Sequence, residues 1–467
     1  MQMTYTKWII VGALVALFGY LGTFVPKADA IPAFARKYDT SCNTCHVSGF
    51  PKLNDFGNRF RDNGYQMDTD DDLPTGLHMG YWPVSLRSTI GYQGSSMSRL
   101  AVGNPATGSV RSSTGGFGFT GIDILAFGSL AKDIAFGVIY VPGLGSAGFG
   151  TGASDGDLEA AFVRFNNVWH TSLINVKVGK YELDVPFSEK RSPTLNTQFV
   201  MYHYTPGKAF TRTIANPTGN PTYANANDFG LGNNQQGLEL FGTKDVDTVD
   251  GTFRYSLNAI SSSSTNVAGT GGGRSLQFYG HVTQSFGGYG IVDGQRIGVF
   301  GMAGRAPTAA NAAIGSSAQS GTGEQDRSFS RVGVDFSLTA MGTINLFGAY
   351  MVANDSKALF SSQGVTNAQA ARWNGGFLEA DYNFSPPWVV YYRYDWIRNT
   401  FQGDATFEKQ FGNIDAHTVA ARYHLMVSKR TALALHAELS TTRSYKTGTL
   451  GDDQIANVGL VGADFVF

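Results

Sequence analysis

The stretch Trp388–Trp396 reads WVVYYRYDW. Trp388, Val390, Tyr392, Tyr394 and Trp396 alternate with a second set that includes Arg393 and Asp395. Successive side chains of a β-strand point to opposite faces, so this stretch predicts a strand with one apolar and one polar face. Tryptophans at both ends of the apolar face suit the two interfaces of a bilayer. The same design recurs in Thr252–Ile260, TFRYSLNAI, where Phe253, Tyr255, Leu257 and Ala259 oppose Arg254, Ser256 and Asn258. It recurs again in Arg331–Leu338, RVGVDFSL, with Val332, Val334, Phe336 and Leu338 set against Arg331, Asp335 and Ser337.

Working outward, sixteen such segments emerge: 81–93, 118–129, 133–142, 156–167, 171–182, 236–243, 251–262, 274–285, 294–305, 327–339, 341–353, 372–384, 387–399, 415–427, 430–443 and 454–467. Several even-numbered strands are followed by only a few residues (LAKD, AMG, SPP and SKR), whereas odd-numbered strands lead into longer connections, the longest from 183 to 235. Short periplasmic turns alternating with long external loops predict a transmembrane β-barrel, and an even strand count places both chain ends in the periplasm. Val461, Ala463, Phe465 and Phe467 of the last segment fall on the lipid face, and a soluble β-sandwich is the competing reading. The Gly-, Ser- and Asn-rich stretches 210–235, 269–275 and 316–326 read as external loops with no motif.

Composition agrees. Gly accounts for 59 of 467 residues, aromatics for 13% and charged residues for only 15%, with net charge −1. Soluble chains average about 25% charged residues and about 7% Gly. The near-zero net charge argues against nucleic acid as a partner.

At the N-terminus, Lys7, an apolar run over 8–25 and Ala28-Asp29-Ala30 form a secretory signal peptide over 1–30, with a retained membrane anchor as the alternative. Both cysteines of the chain follow in SCNTCHVSGF, residues 41–50: Cys42 and Cys45, with His46 directly after. C-x-x-C-H is the attachment motif of c-type haem, in which both thiols become thioethers and the histidine ligates iron from below. Competing readings are a redox dithiol, which lacks its usual βαβ context, a zinc site, which lacks further ligand pairs, and a chance occurrence. Downstream, Leu53, Phe56 and Phe60 recur at helical spacing between Pro51 and the stop Asn63-Gly64, predicting a helix that packs against the haem. The distal iron ligand is sought in GYQMDTDDDLPTGLHMGYW, with Met67 first and His78 and Met79 as alternatives; an open position is a further option. Asp68, Asp70, Asp71 and Asp72 read as a solvated hinge to the barrel. By alternation His281, His424 and His436 face the lumen, as solvated residues or along a route for ions or water.

From IPAFARKYDTSCNTCH through FPKLNDFGNRFRDNGYQM to YWPVSLR and the sixteen strands, the chain resembles the outer-membrane monohaem cytochrome–porin fusions, the iron-oxidising outer-membrane cytochrome c type. The resemblance implies a mainly β fold: a 16-stranded antiparallel barrel over 79–467, and a small helical c-type cytochrome domain over 31–78 that plugs it. It also implies one covalent haem c on Cys42 and Cys45, with His46 as proximal ligand, in the outer membrane. The function implied is that of an Fe(II) oxidoreductase, passing electrons from extracellular Fe(II) to a periplasmic c-type cytochrome. Three alternatives stand beside it: electron export to minerals or extracellular cytochromes, a solute porin with a redox-gated haem plug, and a haem peroxidase.

Overall fold

A computed structural model describes residues 32–38, 40–47, 51–67, 84–101, 109–142, 156–195, 198–204, 206, 231–261, 276–287, 295–305, 328–361, 367–385, 387–427, 431–446 and 452–466. Residues 1–30, read as a signal peptide, together with His78, Met79, Phe467, the aspartate cluster and the loop stretches 210–230, 269–275 and 316–326, lie outside these residues.

Sixteen antiparallel strands close into one barrel, each paired with its sequence neighbours and the first with the last. They are β1 Val84–Ala101, β2 Ser109–Ala131, β3 Ile134–Val141, β4 Asp157–Phe165, β5 Asn175–Glu182, β6 Asn234–Val246, β7 Gly251–Ser261 and β8 Leu276–Phe286. The round continues through β9 Gln295–Arg305, β10 Ser328–Ala340, β11 Ile344–Asp355, β12 Ala371–Ser385, β13 Trp388–Phe401, β14 Ile414–Val427, β15 Ala432–Ser444 and β16 Gln454–Val466. Closure pairs Arg87 with Val466 and Tyr92 with Val461, so no edge is left unpaired. Each expected segment is a strand. β1 and β2 run well beyond the expected 81–93 and 118–129, pairing Gly94 with Gly115 and Ser95 with Thr114. Their extension is Gly/Ser-rich and shows no apolar alternation, but a ladder needs only backbone N–H and C=O groups.

The barrel is inverted relative to a soluble protein. On β7 and β10, Leu257, Val332 and Val334 are exposed, whereas Arg254, Ser256, Asn258, Arg331, Asp335 and Ser337 are buried inside. An apolar outer band and a polar interior are what a lipid-spanning barrel requires. Aromatics gather near both rims: Trp388 packs with Phe384 and Tyr423 at the short-turn end, and Tyr394 stacks on Trp396 toward the other.

Part of the lumen is filled. Residues 183–195 and 198–204, expected as part of an external loop, fold inward, and Leu183, Val185, Phe187, Phe199, Met201, Tyr202 and Tyr204 build a core against β7–β14. Phe199 stacks on Phe377 at 4.0 Å, and Phe187 packs on Phe347 at 4.6 Å. The physical reason is written in LDVPF and FVMYHY, which are too apolar to remain in water. Lumen histidines are tied into this interior and are not solvated. His281 lies between Asp184 and Asp335, with Nε2 3.0 Å from Asp335 Oδ2, and His436 Nε2 is 2.9 Å from Glu438. His424 is also buried.

Candidate functional site

Among residues 32–38, 40–47 and 51–67, three short helices lie at the short-turn end of the lumen: α1 Pro32–Tyr38, α2 Cys42–Cys45 and α3 Asp55–Asp62. α3 begins later than Pro51, because the Asn54 side chain accepts the Gly57 N–H and caps it. It ends as expected, at Asn63 and at Gly64 with φ +73°. Gly57 is required by close approach, since a Cβ there would lie 2.0 Å from the Cys45 carbonyl oxygen. α2 and α3 are thus held backbone to backbone.

Barrel side chains reach in to hold this plug. Arg164 donates to the last carbonyls of α3, Arg61 O at 2.7 Å and Asp62 O at 2.6 Å, where the helix end is electronegative. Arg254 pairs with Asp62 at 2.9 Å, and Lys52 of the plug pairs with Asp381 of β12. Ala35 and Cys42 pack against Ala432 and Val466. All these wall residues lie toward the strand ends joined by short turns, the periplasmic side in a barrel of this type.

Between plug and wall lies a cavity of about 290 Å³. The plug contributes Phe34, Tyr38, Cys45, His46, Leu53, Phe60, Tyr65 and Met67, and the wall adds Phe127, Phe162, Tyr181 and Phe241. Phe34 stacks on Tyr65 at 5.3 Å and meets Phe60 edge-on at 4.9 Å. The cavity also holds Arg61, Arg87, Arg164, Lys177, Lys190, Arg191 and Arg254, against Asp62, Glu182, Asp184 and Glu239. Most of these cations are already paired, Arg87 with Asp464 and Lys190 with Glu159 just beyond the cavity lining.

His46 is buried, and its Nδ1 donates to the Lys52 carbonyl at 3.1 Å. That bond fixes the tautomer and leaves the Nε2 lone pair buried without a hydrogen-bond partner. Burial holds the imidazole neutral by lowering its pKa to about 4. An orphaned ring nitrogen beside a large aromatic cavity is the donor that a metal would complete. The cysteine thiols are not bridged to each other. Burial pushes the Cys45 thiol up to about 11, which disfavours a reactive dithiol. Cys42, one helical turn away, is buried beside Ala432 and Val466, not on the cavity surface. His46, Cys45 and the cavity therefore fit a haem, whereas the Cys42 thiol lies off the cavity and would have to turn toward it to form a second thioether. Of the helix face expected to cover it, Leu53 and Phe60 line the cavity, while Phe56 is exposed elsewhere. Met67 lies on the cavity wall. Wall cations such as Arg164 and Lys177 were not legible as site residues, since alternation places them in the lumen without saying what they face.

Among solved structures, the chain is similar to an anion-selective porin from Comamonas acidovorans, with TM-score 0.50 and 13% identity over 82% of this chain and 99% of that one. Others are the outer membrane channel DcaP of Acinetobacter baumannii (TM-score 0.45, 9% identity, 81% and 96% covered) and the loop L8 deletion mutant of OmpT, an outer membrane protein of Vibrio cholerae (0.42, 12%, 83% and 100%). No protein-family model matches, and no curated protein sequence is similar. The class is thereby defined: a closed sixteen-strand antiparallel barrel of the outer-membrane porin type. These likenesses concern the barrel and are silent on the plug.

Proposed function

We propose that this chain conducts electrons across the outer membrane through a c-type haem held in the periplasmic end of the barrel, with extracellular Fe(II) as donor and a periplasmic cytochrome as acceptor. The observation that carries this reading is His46, a cavity-lining residue directly after Cys45 whose Nε2 is buried and unpartnered. Haem, when bound, supplies the one-electron iron chemistry. Cys42 and Cys45 would hold it by thioethers, His46 as the proximal and Met67 as the distal ligand. His78 and Met79 are the other distal candidates. The inward-folded residues 183–195 and 198–204 pack an apolar core into the lumen, and the barrel wall would insulate the path from lipid. This division of labour keeps an insoluble ferric product outside the cell.

A second reading, a solute porin with a redox-gated haem plug, draws on the barrel itself, whose fold is that of an anion-selective porin. Against a wide passage stands the packed core of Phe187, Phe199, Tyr202 and Phe377. Electron export is the same conduit run in reverse.

The test is stopped-flow mixing of oxidised holoprotein with Fe(II), following haem absorbance, with His46→Ala as control. Prompt reduction that the control lacks supports inward electron transfer. No reduction at any accessible pH, together with bilayer conductance that changes with haem redox state, would favour the gated porin.

A further inference from the structure

We infer that Lys52 is a positioning residue that couples the proximal imidazole to the barrel wall, so that the wall helps to set the haem potential. The inference rests on the haem reading above and concerns a connection that neither the motif nor the barrel fold implies.

Two ends of one residue carry the argument. The Lys52 main-chain carbonyl accepts both the His46 Nδ1–H at 3.1 Å and the Val47 N–H at 3.0 Å. The Lys52 side chain crosses to the wall, where its ammonium donates to Asn345 Oδ1 of β11 at 2.9 Å and pairs with Asp381 of β12. It also lies over the Phe347 ring, 4.9 Å from the centroid. Lys52 is only 8% exposed and Asp381 is fully buried, so solvent does not screen the tie. Glu379, one step along the same inner face of β12, is paired instead with Arg393 at 3.4 Å. The acceptor of the imidazole proton is thus fixed by two barrel strands, although it belongs to the plug. A firmly held acceptor makes a metal-bound imidazole the stronger donor, which favours ferric over ferrous iron.

Positioning and plain electrostatics make different predictions for Lys52→Met and for the double variant. If the tie positions His46, Lys52→Met and Asp381→Asn each free the carbonyl. Both then raise the midpoint potential, the double variant stays raised, and Lys52→Arg restores the native value. If the pair acts only through its charges, losing the cation lowers the potential, losing the anion raises it, and the double variant returns to the start.

The experiment is spectroelectrochemical titration of full-length holoprotein in these variants, each first shown to keep the SDS-resistant folded barrel. Same-sign shifts that persist in the double variant are expected. Opposite shifts that cancel, or no shift, overturn the inference. A haem-free chain (Cys42→Ala, Cys45→Ala) gives a second reading through hydrogen exchange of the Val47 amide, which shares the Lys52 carbonyl. Exchange should speed up in Lys52→Met and Asp381→Asn, and unchanged exchange overturns the tie. A wild-type protein without haem would sink the haem reading instead, while the Val47 exchange still decides the tie.

Discussion

Arg254 Nε stands 2.9 Å from Asp62 Oδ2, joining the barrel strand β7 to the last residue of the plug helix α3. The same guanidinium reaches Asp184 at the start of the inward-folded segment. One wall residue therefore holds both bodies that lie in the lumen.

Arg254→Met should loosen both. It removes the guanidinium shared by two buried carboxylates, leaving Asp62 with Arg61 and Asp184 with His281, at a cost of up to about 3–5 kcal/mol. Trypsin should then cut at Arg59 and Arg61 while the barrel stays intact, and bilayer conductance should rise. Trypsin resistance equal to wild type would show that the remaining contacts suffice.

Gly57→Ala should separate α3 from the cysteine turn, because the added Cβ meets the Cys45 carbonyl at 2.0 Å. Overpacking of this kind costs about 1–3 kcal/mol. In the chain with both cysteines present but expressed without haem attachment, alkylation of Cys45 should speed up, since burial now holds that thiol neutral at about 11. An unchanged alkylation rate would mean that the turn adapts without opening.

Acid should destabilise the haem-free plug through His46. Its pKa lies at about 4 in the folded state, against an ordinary 6.5. Between these values the unfolded state binds the extra proton, so stability is complete above 6.5 and falls as pH drops toward 4. The loss amounts to roughly 3 kcal/mol. Hydrogen exchange of α2 and α3 amides should track this window, and His46→Gln should remove the His46 part of the slope.

Phe199→Ala should weaken the lumen core, where Phe199 stacks on Phe377 and lies beneath Arg393, 4.5 Å from its ring centroid. A buried Phe→Ala change costs about 3–5 kcal/mol. The heat-induced mobility shift of the barrel should move to lower temperature, with a gain in conductance. A stable, closed variant would place the seal elsewhere.

Alternation alone determined the barrel. A lipid exterior forces apolar residues to every second position, and stretches such as Trp388–Trp396 carry that signal without reference to any contact. The helix stop at Asn63-Gly64 and the inward facing of His281, His424 and His436 are equally local, as is the spacing of Cys42, Cys45 and His46. What those lumen histidines touch was decided only by closure of the barrel, which sets His281 between Asp184 and Asp335. Closure likewise drew LDVPF and FVMYHY into the lumen and brought Lys52 to Asp381, far apart in the chain. The reason is physical: a periodic face is a property of neighbours along the backbone. A buried charge pair exists only when the fold removes water from two distant residues at once.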